Sequence, residues 1–186
     1  MIEMLYNGIK LYHGSYCEVK HPELGKCRKY KDFGRGFYLT TDLDQATRFA
    51  KLSLRKAVEN NTVPGNQLIA YVSCFQYIED DTCKINIFDD ADAEWLHCVV
   101  GHRKQHSFPS VVSEMDRYDV IGGKIANDAT NATILAYMSG TFGEIGSEQA
   151  DRICISLLLP EKLKDQYCFK TVNAINHLKY LETLKI

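Results

Sequence analysis

The sequence lacks most of the signals that would give a function away at a glance. It has no C-x-x-C pair among its seven cysteines, which argues against zinc knuckles and dithiol redox motifs. No G-K-[ST] follows a glycine-rich loop, no G-x-S-x-G elbow is present, and Gly34-x-Gly36 has no third glycine to complete a dinucleotide fingerprint. There is no H-E-x-x-H. His102 and His106 have the spacing of a metal pair on a helix, but no clear third ligand accompanies them, so polar residues on a helix face is the favoured reading. The apolar stretch around Leu157 to Leu159 falls far short of a membrane span, and residues 1–10 carry no apolar core of a signal peptide. With an odd cysteine count, that points to a reducing cytoplasm. Charge of one sign is also missing. The net charge is −2, so no general pull toward nucleic acid follows.

What remains is an ordinary globular chain of 186 residues, 45% hydrophobic and 25% charged. That composition excludes disorder, collagen and coiled coil, and the length predicts one domain over residues 1–186. Cys74, Cys98 and Cys154 lie in apolar runs and read as small core residues. Residues 9–13 alternate apolar and polar and deliver His13 to a strand end. Residues 16–35 read as a polar loop, and 36–40 as a second strand. Thr41-Asp42-Leu43-Asp44 caps a helix predicted to reach residue 60. Strands are expected over 67–77, 82–88, 118–125 and 166–171. Helices are expected over 92–105, 129–138 and 148–159, with a last one over 172–181. Strands and helices without regular alternation give an α+β fold.

Two segments place polar or aromatic side chains beside glycines at strand ends, where backbone can approach a ligand. They are Leu11-Tyr12-His13-Gly14-Ser15 and Asp32-Phe33-Gly34-Arg35-Gly36-Phe37-Tyr38-Leu39-Thr40-Thr41. A turn-satisfying His and a core Phe-Tyr pair are the bland alternatives. The two segments resemble the first and second motifs of the ADP-ribosyltransferase superfamily, in its His-Tyr-Glu branch. The chain is most similar to a bacterial group of ADP-ribosyltransferase-like proteins that share D-F-G-x-G-F-Y-L-T and a following T-x-x-x-Q-A helix. Here that helix starts Thr41-Asp42-Leu43-Asp44-Gln45-Ala46. Asp119 to Asp128 and Gln166 to Thr171 match two later blocks, so the resemblance covers nearly the whole chain.

The resemblance implies a split β-sandwich with flanking helices and NAD as substrate. It implies that His13 bonds a hydroxyl of the adenine-side ribose, that the Gly14 backbone clamps the carboxamide with support from Ser15, and that Tyr38 stacks on nicotinamide. Phe49 holds the place of a second aromatic, completing a sandwich of rings. The third motif residue is a Glu in the family and Gln166 here. A carboxylate there stabilises an oxocarbenium-like transition state. A neutral amide keeps the hydrogen bond without the full charge. Gln166 therefore fits a slower mono-ADP-ribosyltransferase or an inactive NAD-binding module, and argues against chain elongation. Glu144 or Glu148 could supply the missing carboxylate, or be plain loop and helix-start acids. Arg35 could meet the pyrophosphate or sit solvated at a loop tip. Asn127 and Asp128 could cap a helix or wall the site. Implied partners are a protein or nucleic-acid acceptor and a cognate antitoxin or immunity protein, with no membrane. An NAD hydrolase is the remaining alternative.

Overall fold

In a computed structural model, described over residues 3–125, 128–159 and 163–186, the chain is α+β and holds two sheets. The first sheet has the order β1-β3-β7, from Lys10–Ser15, Tyr71–Tyr77 and Leu178–Lys185, all antiparallel. The second has the order β2-β6-β5-β4, from Phe37–Leu39, Asp165–Phe169, Val120–Lys124 and Ile85–Ile87, with only β4 and β5 parallel.

Period-two alternation explains why the sheets face each other. Leu11 and Phe75 from the first sheet meet Phe37, Leu39, Val120, Tyr167 and Phe169 from the second in one buried cluster. On the outer face of the first sheet, α1 (Leu43–Glu59) lays Ala46 and Ala50 against Val72 and Cys74. On the outer face of the second, α2 (Ala93–Arg103), α4 (Asp128–Met138) and α5 (Glu148–Leu158) bury Trp95, Leu96, Ile134 and Cys154 against Ile121 and Cys168. Burying this much apolar surface drives the four-layer arrangement. Among the described residues no helix is long and apolar enough to cross a membrane.

The α1 cap is as expected: the Asp42 carboxylate accepts from the Gln45 backbone at 2.9 Å. Two elements differ from the sequence expectation. A short helix, α3 (Pro109–Met115), follows Phe108, which takes a left-handed φ of 47°. The last helix is only α6 (Val172–Asn176), and the chain then extends as β7. The reason is a bulge. Phe75 pairs with Tyr180 and Cys74 with Glu182, so Leu181 faces no partner. Leu178 and Tyr180 point into the inter-sheet core before the bulge, and Leu184 onto the opposite face after it. The extra residue shifts the side-chain parity and leaves leucines at three-residue intervals, which imitates a helical period.

Candidate functional site

Three strands bring the motif segments together. β1 and β2 belong to different sheets, yet a single bridge between Tyr12 and Thr40 joins them, with backbone bonds of 2.8 and 3.1 Å. β2 pairs with β6, setting Tyr38 opposite Cys168, and Gln166 lies two residues before Cys168, opposite Gly123 of β5. Phe37 and Leu39 point between the sheets, while Tyr38 packs on the helical side.

Tyr38 is folded under the turn its own motif makes. Gly34 takes a φ of 81°, which suits glycine, and its carbonyl accepts from the Tyr38 hydroxyl at 2.8 Å. The Phe33 amide donates to the same hydroxyl at 3.0 Å. Burial, then the neighbouring Cys168 and Asp32, hold the phenol well above its ordinary pKa, so Tyr38 remains protonated at neutral pH.

Gln166 is 5% exposed, and its Nε2 donates to Asp32 Oδ2 at 2.6 Å. The other oxygen of Asp32 accepts from Arg103 Nε at 2.9 Å and Nη2 at 2.5 Å. Arg103 also donates from Nη1 to Asn131 Oδ1 at 3.0 Å. A carboxylate therefore stands beside the third-motif position although residue 166 is an amide. It comes from the loop before β2, and not from Glu144 or Glu148. Both of those are exposed, and Glu148 pairs with Arg152 at 4.0 Å.

His13 lies across β2 from the Tyr38 ring. Its Nδ1 carries the proton, because its partner is the Tyr38 carbonyl at 2.8 Å, which can only accept. That leaves Nε2 as an acceptor. The imidazole leans on Phe37 with ring centroids 4.3 Å apart. Burial pushes the His13 pKa below 6.5, against the opposing pull of the Tyr38 carbonyl. The unfolded chain thus binds more protons near and below pH 6.5. The stability His13 contributes is present in full above that pH and is lost as pH falls through the folded-state value. An NMR titration should give a His13 midpoint below 6.5. A midpoint above it would contradict the half-buried, neutral assignment.

The remaining expected residues take several places. Gly14 faces α1, and a Cβ there would lie 2.0 Å from the Ala46 carbonyl oxygen. Ser15 is buried, and its hydroxyl accepts from the Cys17 amide at 3.5 Å. Arg35 staples its own loop, donating to the Gly25 and Cys27 carbonyls at 2.7 and 3.2 Å. Phe49 is 38% exposed on α1, and among the described residues no ring contact joins it to Tyr38. Asn127 lies outside the described residues.

With this geometry in place, kinship can be read from the chain as a whole. The family described as "Protein of unknown function (DUF3990)" matches it over residues 9–180. The chain belongs to the DUF3990 family. No curated protein and no solved structure matches it.

In this DUF3990 chain, sequence reasoning missed Asp32 and Arg103 as site residues. Asp32 opens the D-F-G-x-G-F-Y-L-T block, and its acidic charge beside two glycines was the available signal. Among the described residues no three His, Cys, Asp or Glu side chains are grouped to hold an ion. His102 instead donates from Nδ1 to the Cys98 carbonyl at 2.8 Å. Burial pushes the thiols of Cys98, Cys154 and Cys168 up to about 12, so at neutral pH none of the three offers a thiolate.

Proposed function

We propose that the chain is an NAD-dependent mono-ADP-ribosyltransferase of the His-Tyr-Glu type, acting on a protein or nucleic-acid acceptor. The observation that carries this reading is the junction of β1, β2 and β6. There Tyr38 and Gln166 occupy paired strands beside a buried carboxylate, and His13 is bonded to the backbone of Tyr38 itself.

In this reading the glycosidic bond between ribose and nicotinamide breaks, neutral nicotinamide leaves with the bonding electrons, positive charge develops on the sugar, and a nucleophile of the acceptor bonds the ribose C1′ and releases its proton to solvent. Gln166 Oε1 accepts from a ribose hydroxyl, and the negative charge of Asp32 behind the amide favours the developing cation. His13 Nε2, an acceptor, takes a hydroxyl of the other ribose. Tyr38, Gly14 and Ser15 frame the nicotinamide, and Phe49 is the exposed outer wall. Transfer to a macromolecule in a reducing cytoplasm suits a bacterial toxin or effector, opposed by an antitoxin or immunity protein.

A second reading, an NAD-binding module without turnover, draws on two features: the neutral side chain at 166 and the exposed position of Phe49. Incubation with NAD labelled in the ADP-ribose moiety separates the readings. Transfer places label on a macromolecule, hydrolysis gives free ADP-ribose and nicotinamide, and the module gives neither. His13→Ala and Tyr38→Ala should each abolish transfer while circular dichroism stays unchanged. Full activity in both would refute the site.

A further inference from the structure

We propose that Asp32 is a positioning residue that fixes which end of the Gln166 amide is offered to a ligand. Asp32 is 6% exposed and is held from one side by two Arg103 nitrogens, so its carboxylate cannot turn away without breaking that pair. An ionised carboxylate only accepts, so the group facing it must be the NH2 of Gln166, as the 2.6 Å contact requires. The planar amide then directs Oε1 away from Asp32. Among the described residues Oε1 has no hydrogen-bond partner. The end of Gln166 turned away from Asp32 is therefore an acceptor, polarised by the charge at its other end.

This sets the ligand chemistry. An oxygen acceptor takes a hydroxyl and repels a phosphate or carboxylate. On the reading proposed above, that hydroxyl belongs to the ribose beside the bond that breaks, and this clause of the inference rests on that reading.

Asp32→Asn reverses the arrangement. Arg103 needs an acceptor, so the Asn oxygen turns to it and the Asn NH2 turns to Gln166. Gln166 must then accept, which swings its own NH2 toward the ligand. The variant should lose about 10- to 100-fold in nicotinamide release while remaining folded. The double variant Asp32→Asn with Gln166→Glu restores an acceptor on the ligand side, since Glu can accept from Asn with one oxygen and from a hydroxyl with the other. It should recover at least the wild-type rate. Gln166→Glu alone is the reference: a purely structural Asp32 predicts that Asp32→Asn costs Gln166→Glu the same fold-loss as it costs the wild type, and that result would overturn the proposal.

A second measurement does not depend on turnover. In a ¹H–¹⁵N spectrum of the ligand-free wild type, one side-chain amide proton of Gln166, assigned through its absence in Gln166→Glu, should be displaced downfield and slow to exchange. Asp32→Asn should abolish that displacement. If Asp32→Asn does not fold, the wild-type spectrum decides alone. Ordinary, fast-exchanging Gln166 signals overturn the positioning role. Absence of any nicotinamide release with a displaced signal overturns the proposed function and leaves the positioning role standing.

Discussion

Gly14→Ala should cost about 3 kcal/mol of stability, the high end of what overpacking a filled interior usually costs. The new Cβ would stand 2.0 Å from the Ala46 carbonyl oxygen and 2.7 Å from the Ala50 nitrogen. Both are backbone atoms of α1, so no side chain can swing aside, and the helix itself must lift off β1. Lifting it opens the layer where Ala46 and Ala50 pack on Val72 and Cys74. In thermal unfolding the midpoint should fall by about 6 to 12 °C for a chain of this size. Gly25→Ala is the matched control, because a Cβ there meets nothing within 4 Å. A stable Gly14→Ala variant that had lost only NAD binding would show that the glycine serves a ligand and not the α1 contact.

Arg103→Met should be the most damaging change at the site. Asp32 would keep its buried place beside Gln166 but lose its cation, and breaking a buried pair from one side typically costs about 3–5 kcal/mol. Asp32→Asn combined with Arg103→Met should recover much of the loss, because residue 32 then no longer buries a charge beside the lost guanidinium. Urea melts of the wild type and the two variants check this. An Arg103→Met protein as stable as wild type would mean that the pair carries no weight in the fold.

The legible parts of the fold are those in which local chemistry and burial agree. β1, β2 and α1 fall where alternation, glycines and the Asp42 cap place them. The illegible parts depend on distant partners. β7 is a strand because β3 offers it an edge, and its bulge at Leu181 disguises the period of two. α3 begins with Pro109 at its first turn, a genuine start signal, but its seven residues are too few to display a helical period. At the candidate site, the motifs mark Tyr38, His13 and Gln166. The sequence offers Glu144 and Glu148 as carboxylates or, more plainly, as loop and helix-start acids, and the structure sets Asp32, 134 residues from Gln166 along the chain, beside that amide. No spacing rule links positions so far apart, and only the pairing of β2 with β6 makes them neighbours. The resemblance makes the glycine of the H-G-S segment a ligand contact, and the structure adds a packing reason for it, the passage of α1 over β1.

The most direct test of the account is nicotinamide release from NAD by the purified full chain, measured beside His13→Ala. Steady release by the wild type and none by the variant is the expected result. Equal release from both, or none from either in the presence of candidate protein and nucleic-acid acceptors, would contradict it.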